Sequence, residues 1–559
     1  MSGEPSVFDV IVVGSGASGG WACKQLAEAG LKVAVLEAGA TQSDTNFSEH
    51  VPAFELEYRN RAPEVIRKTR PIQSHMACDE YNYKWFCNDL DEPYTTPPDR
   101  PFLWLARLRR TGGRTNSWGR VSLRYSDLDF KAASRDGYGE DWPLSYSDLA
   151  PYYDLVEEYV GVAGLAEGLP QLPDGKFLPP MAFTCQEVLF RNRVKEKLGR
   201  TVTPGRMANL TRPINGRAQC HYCGPCYRGC VTHSYFNSSF TTMADALNTG
   251  NCTLISNAMV YQVKTGSDGK LASSVTYIDR NTHEAREIRA RVVILCAQSF
   301  ESVRILLNSA DVRYPGGLAN SSGILGHYLT AHIRNGGGSG ELPAFGAKPS
   351  LNGPNRPAGF YIARFRNIEN VPGSKNFLRG YGYEGASYLT YNLDAPGYGE
   401  TYKKALLDPK AGVTITGFGE VLARWDNFVK IDPDVKDRWG IPVLHISMAD
   451  GLNETAMTKD MADSAGEMLE AAGAKNIRTF ANPSPGRWAA HEAGIARMGN
   501  DPKTSVLNQY QQAHDIRNLF VMDASGFPSN PCQNPTLTIM ALCVRSCDYL
   551  LGEMKRGNV

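Results

Sequence analysis

The first forty residues constrain this chain more than any other stretch. Phe8 to Val13 reads FDVIVV, an apolar, β-branched run of strand length. It leads into Gly14-Ser15-Gly16-Ala17-Ser18-Gly19. Trp21 to Ala29 is then rich in helix formers, Gly30 stops them, and Lys32 to Leu36 (KVAVL) is a second apolar strand closed by Glu37. Strand, glycine turn, helix, strand and acid stand in the order of a dinucleotide-binding βαβ unit. There Gly14 permits the tight turn, Gly16 lets the backbone approach a pyrophosphate, and Gly19 lets helix and strand lie close. The helix start around Ser18 offers N–H groups to the anion, and Glu37 suits a ribose hydroxyl. The plain alternative, a structural glycine turn, leaves the acid and the second strand without a role.

The chain has 559 residues, too many for one simple core, so two or more domains are expected. A formal net charge of +1 gives no electrostatic case for a nucleic-acid or anionic-membrane partner. No apolar run reaches the length of a membrane span. Met1 to Ser6 is short and polar, without the features of a signal peptide, so folding in the cytoplasm is expected.

After Gly39 the sequence is polar and irregular to about Tyr83, which reads as loop over the cofactor. Arg107 to Arg120 places Gly112 and Gly113 among Thr111, Thr115, Asn116 and Ser117, next to Trp118. So many close backbone donors suit an isoalloxazine or a phosphate. Leu254 to Val263 and Leu271 to Tyr277 read as a hairpin-like pair of strands, with Val260 in the first. Arg291 to Leu295 (RVVIL) is a buried strand that turns at Cys296-Ala297-Gln298 into a helix through Leu307, returning the chain to the cofactor unit. From about Leu329 to Asn482 glycine-rich loops alternate with strand-like runs, and Met457 to Ala471 reads as helix. The expected fold is therefore an α/β, Rossmann-like cofactor domain over residues 1–330 and 483–559, with an α+β substrate domain on an antiparallel sheet over 331–482.

Four of the 13 cysteines fall in one loop, Cys220-x2-Cys223-x2-Cys226-x3-Cys230. The spacing matches the bacterial ferredoxin run, except that Val231 stands where that run has proline. Structural zinc, or plain thiols and disulfides, are the competing readings. The other nine cysteines are scattered and read as buried thiols.

Taken together these residues resemble the glucose–methanol–choline (GMC) oxidoreductases over most of the chain. The N-terminal GSGASGG…LEAG resembles their flavin-binding start, and Arg109, Gly112-Gly113, Asn116 and Trp118 their second flavin motif, with Gly113-Arg114-Thr115 where many members have Gly-Ser-Ser. Val293 to Ser299 resembles a further cofactor motif. The C-terminal block is the most specific: His491-Glu492-Ala493-Gly494, Val521-Met522-Asp523-Ala524-Ser525 and Asn534-Pro535-Thr536-Leu537-Thr538 follow the family order, with Ile495 where threonine is usual. The resemblance implies FAD, oxidation of an alcohol, and an active-site pair at His491 and Asn534. It also places Val260, Ala297, Asp523, Ala524, Asn534 and Thr536 against the cofactor. The chemistry agrees. Hydride loss from a carbinol leaves a hydroxyl proton that an imidazole suits, while an amide can hold the hydroxyl in line.

Cys220-x5-Cys226-x3-Cys230 resembles the three-cysteine signature of FAD-dependent sugar dehydrogenases in this family, which implies a [3Fe–4S] cluster, or [4Fe–4S] if Cys223 joins. The nearest resemblance is to bacterial glucoside 3-dehydrogenase-like and pyranose-oxidising members. It implies a keto-sugar product, a small chaperone-like subunit, a cytochrome c or quinone acceptor, and a periplasmic location by co-export with a signal-bearing partner. An oxidase that uses O2 and releases H2O2 is the alternative.

Overall fold

The computed structural model describes residues 8–343, 356–357, 359–368, 376–391, 395–482 and 487–559. The opening βαβ unit is β1 (Phe8–Val13), α1 (Ala17–Glu28) and β2 (Val33–Glu37). β1 pairs in parallel with β2 on one side and with the last six residues of strand Ala285–Leu295 on the other. Cys252–Ser256 extends the parallel sheet beyond β2, and Leu519–Val521 pairs in parallel with the same long strand. The first half of Ala285–Leu295 has a second partner, pairing antiparallel with Ala272–Asp279, which in turn pairs with Ala258–Thr265. Val10 to Val13 of β1 and Val33 to Leu36 of β2 are apolar and buried, as the inner strands of a parallel sheet covered on its faces must be.

The expected hairpin thus divides differently. Leu254 lies in the parallel strand, Asn257 breaks the run with φ at +56°, and the true antiparallel pair starts at Ala258. The reason is local: an asparagine tolerates the left-handed backbone that a β-branched run cannot.

The second sheet is antiparallel, in the order Lys475–Ala481, Gly336–Glu341, Lys410–Glu420, Tyr381–Thr390, Phe360–Ile362, Val202–Pro204, with His332–Ile333 paired to the end of Lys410–Glu420. Its glycine-rich stretches are strand, not loop. A Cβ on Gly417 would lie 2.7 Å from Met461 Sδ and one on Gly419 2.4 Å from Met457 Sδ, so bare backbone there lets helix Leu452–Ala471 settle on the sheet. Two pieces cross the expected boundary. Val202–Pro204 precedes residue 330 yet closes the edge of this sheet. The hairpin Phe428–Lys436 with Pro442–Ser447 is held to helix Ser299–Asn308 of the cofactor unit, where Arg304 bonds Asp437 (2.8 Å) and the Pro442 carbonyl (2.9 Å). One continuous apolar core runs through both sheets and the long C-terminal helix Thr536–Arg556.

Candidate active site

The glycine turn is built as its spacing requires. Gly14 has φ +96°, and a Cβ on Gly19 would lie 1.9 Å from the Gly14 carbonyl oxygen. Gly16 is different in kind: a Cβ there would meet nothing nearer than the Gly112 oxygen at 4.0 Å. That open approach stands at the start of α1, which no side chain caps, with Ser18 buried in its first turn. An anion placed there would find unpaired backbone donors.

Glu37 is pre-oriented toward the same turn. Its carboxylate accepts from Ser15 Oγ (2.6 Å), Ser15 N (3.2 Å) and Gly39 N (2.8 Å). Ser15 Oγ also accepts from Gly112 N (3.0 Å), which ties the two flavin-like motifs together. Gly112 and Gly113 both have positive φ, and Asn116 closes their turn by donating to the carbonyls of Thr111 and Gly113. Trp118 Nε1 donates to the Phe236 carbonyl (2.9 Å). Ala297 sits beside Gly14, since a Cβ on that glycine would touch the Cys296–Ala297 backbone. Ala297 N donates to Ser302 Oγ, which donates in turn to Asp523 (2.5 Å); Ser525 donates to the other Asp523 oxygen, and burial raises this carboxyl's pKa. Ala524 follows, its carbonyl accepting from Gly494 N (3.1 Å). Val260 belongs to the strand that begins just after Asn257, whose N–H donates to the Gly39 carbonyl. The open approach at Gly16, the uncapped helix and the oriented acid fit a dinucleotide such as FAD.

The far end of the chain meets the substrate sheet at His491. The residue is half-buried. Burial first, then His332, Arg334 and Arg114, hold its pKa well below the usual histidine value. His491 Nδ1 lies 2.9 Å from His332 Nδ1, and His332 Nε2 lies 2.5 Å from the Pro531 carbonyl oxygen. The His491 carbonyl accepts from Asn530 (2.8 Å). Arg114, from the second flavin-like motif, reaches Glu492 (2.5 Å) and the Ala490 carbonyl (2.9 Å), fixing the loop before and after His491.

Asn534 is buried and donates Nδ2–H to Glu384 Oε1 (2.9 Å), while its Oδ1 has no hydrogen-bond partner among the described residues. Glu384's pKa is raised by burial, against the opposing pull of Arg334 and the Asn534 bond. Arg334 stands over the Phe418 ring at 4.2 Å, and that ring also faces both histidines. Thr536 opens the C-terminal helix two residues on, again with no side-chain cap. Sequence reasoning singled out His491 and Asn534 and did not name the neighbouring His332, Arg334, Glu384 and Phe418. The available signal was Glu384 itself, a lone carboxylate in the otherwise apolar and small run YGYEGAS.

The cysteine loop lies beside the second flavin-like motif. Just after it, Tyr235 donates to the Asn116 carbonyl (2.7 Å), Asn237 to Asn116 Oδ1 (2.9 Å) and Ser238 N to Thr115 (3.0 Å). The segment before Tyr83 covers this loop: Ser48 N bonds the Arg228 carbonyl and Asn82 the Tyr227 carbonyl. Cys220, Cys226 and Cys230 are buried and Cys223 half-buried. Burial raises the pKa of Cys220 and Cys226, and that of Cys223 to about 11, with the neighbouring thiols adding to each. Cys223 also lies with His50 and His221, all donor atoms within 4.8 Å of one another.

Comparison with known proteins gives the same picture. The GMC oxidoreductase models match residues 99–333 and 423–543, and an FAD binding domain model matches residues 9–50. The chain is 32% identical to 2-methyl-1,2-propanediol dehydrogenase of Mycolicibacterium austroafricanum, across 98% of this chain and 96% of that one. It is 27% identical to the fructose dehydrogenase large subunit of Gluconobacter japonicus across the full length of both. Pyridoxine 4-oxidase from Mesorbium loti shares the fold, with a TM-score of 0.59 at 16% identity over 98% of this chain and 99% of that one. On these matches the chain belongs to the GMC oxidoreductase family, FAD-dependent enzymes acting on alcohols and sugars.

Proposed function

We propose that this enzyme is a dehydrogenase that oxidises a secondary hydroxyl of a sugar or glycoside, at C3, to a keto-sugar. The observation that carries the reading is a set of neighbouring polar groups: Asn534 Oδ1 without a partner among the described residues, the Glu384 carboxyl that holds its amide, and the Arg334 guanidinium. A simple alkanol would leave the Asn534 oxygen unpaired. A ring bearing adjacent hydroxyls would satisfy it, and polar sites of this kind discriminate strongly against substrates that lack the matching group.

His491, kept neutral by burial and by the surrounding cations, takes the hydroxyl proton. Asn534 holds the hydroxyl in line, and Glu384 holds Asn534. FAD, when bound, supplies the hydride acceptor. Glu37, the Gly14–Gly19 turn, Gly112–Asn116 and Asp523 would hold it.

The thiols of Cys220, Cys226 and Cys230 would hold an iron–sulfur cluster, whose chemistry when bound is one-electron transfer. Their burial, their shared electrostatic neighbourhood and the 3.4 Å approach of Tyr222 N–H to Cys220 Sγ support this reading. Cys223 has His50 and His221 as further neighbours, so the proposal assigns the cluster to the other three thiols. A partner subunit and a cytochrome c or quinone acceptor complete the proposal, with co-export to the periplasm. Its support is that one full-length relative is itself named a large subunit.

The deciding experiment is anaerobic bleaching of the flavin against methyl glucosides, free aldoses, fructose and small diols, with NMR of the product. Bleaching by a glycoside and a new carbonyl at C3 are expected. Bleaching by diols alone would reject the sugar reading, and rapid H2O2 release in air would make the enzyme an oxidase.

A further inference from the structure

We infer that His332 selects which nitrogen of His491 receives the substrate's proton. The inference rests on the reading of His491 as the base, and its starting point is a carbonyl. The Pro531 oxygen can only accept, so His332 Nε2, at 2.5 Å, carries a hydrogen. A neutral imidazole with its hydrogen on Nε2 has a lone pair on Nδ1. That lone pair faces His491 Nδ1 at 2.9 Å, and two nitrogens at this distance share one hydrogen. The hydrogen therefore belongs to His491 Nδ1. The lone pair of His491 is left on Nε2, which has no hydrogen-bond partner in the protein among the described residues.

The opposite tautomer would present an N–H to the substrate hydroxyl and could accept nothing from it. The Pro531 carbonyl thus decides the reactivity of His491 through one intervening ring, and the choice is built into the backbone. Pro531 lies in the loop that also supplies Asn530, bonded to the His491 carbonyl, and Asn534. His332 is fixed from its own side by strand pairing opposite Glu420. When His491 Nε2 gains the hydroxyl proton, its Nδ1–H bond to His332 becomes charge-assisted and strengthens, so the pair favours the charge that the reaction creates. The groups facing the pair are Arg334 and Arg114, which oppose a second proton, with Glu384, Glu420 and Glu492 on the neighbouring elements. The two rings therefore titrate as one unit that stores a single proton.

The test is single-turnover flavin reduction of the FAD-loaded enzyme by methyl β-D-glucoside, or by the panel sugar that bleaches it fastest. His332→Leu removes the acceptor and is expected to slow reduction about ten- to hundredfold, with flavin content and apparent sugar affinity within about threefold of wild type. His332→Asp, acceptor-only, is expected to recover much of that loss and to raise the apparent pKa of the reduction step. His491→Ala is run beside them. If it stays as fast as wild type, the base assignment beneath the inference fails. If it is inactive while His332→Leu reduces flavin at the wild-type rate, only the inference fails, and an Asp variant no better than Leu also overturns it. Where a variant does not hold flavin, 15N-histidine spectra of the wild-type holoenzyme decide. The signals lost in His491→Asn should show the bonded proton on Nδ1, and a proton on Nε2 would overturn the assignment.

Discussion

His491 carries the sharpest residue-scale consequences. Burial and the neighbouring His332, Arg334 and Arg114 depress its pKa, so the neutral base persists well below the pH at which a free imidazole charges. Flavin reduction should therefore be flat through neutral pH and fall only at acid pH, below about 6.5. A pH profile of single-turnover reduction checks this, and a midpoint at or above 7 would contradict it. The stability consequence has a definite sign. An unfolded imidazole takes its proton at about 6.5 and the folded one resists it, so this group costs nothing above that pH and destabilises progressively below it. Replacing His491 with Ala should cost about a hundredfold or more in the reduction rate. What was legible at this scale was the pair of residues in a specific linear motif. His332, Arg334 and Glu384 lie on strands whose local sequence gives no catalytic pattern, and only strand pairing brings them to the cleft.

At the scale of elements, the opening turn was readable because its glycines are required by backbone contact, not by preference. Gly19→Ala would drive a methyl into the Gly14 carbonyl oxygen, 1.9 Å away. Backbone cannot yield there as a side chain would, so the variant should lose most of its FAD and about 1–3 kcal/mol of stability or more. The flavin-to-protein absorbance ratio and a thermal melt measure both. The antiparallel second sheet was expected, but its glycine-rich stretches were read as loop for the converse reason: glycine signals a loop in sequence, whereas here it clears room for Met457 and Met461. At the end of its strand Lys410–Glu420, buried Glu420 has its pKa raised to about 7, by burial first and by Asp129 and Asp136, against Arg379 at 3.3 Å and Arg364. The folded state thus holds this proton up to a higher pH than an unfolded glutamate, which releases it at about 4.3. Stability from this group is complete below that value and lost as pH rises toward 7. Glu420→Gln should flatten the stability profile between pH 5 and about 8, measured by urea unfolding. An unchanged slope would show that the carboxyl is ionised throughout.

At the scale of the whole molecule, the flavin cradle, the proton-handling cleft and the cysteine loop are joined by short, specific contacts. Arg114 links the first two through Glu492, and the Tyr235–Ser238 segment links the first and third through Asn116 and Thr115. This arrangement was only partly legible. The linear order of motifs announced each piece, but their adjacency depends on a chain that leaves the cofactor sheet after β2 and returns to it at Cys252. The adjacency gives the cysteine loop a testable role. If Cys220, Cys226 and Cys230 hold a cluster next to the flavin motif, Cys226→Ser should empty it without touching His491 or Asn534. Sugar should then bleach the flavin anaerobically at the wild-type rate, while reoxidation by cytochrome c or ferricyanide slows about tenfold or more, because a two-electron flavin must discharge to one-electron acceptors without an intermediate carrier. Iron content and the broad visible absorbance of the wild-type protein provide the reference. Iron-free wild-type protein whose reoxidation is unaffected by the substitution would leave the loop a purely structural link between the segment before Tyr83 and the flavin turn, a role the Arg228 and Tyr227 carbonyl bonds would by themselves explain.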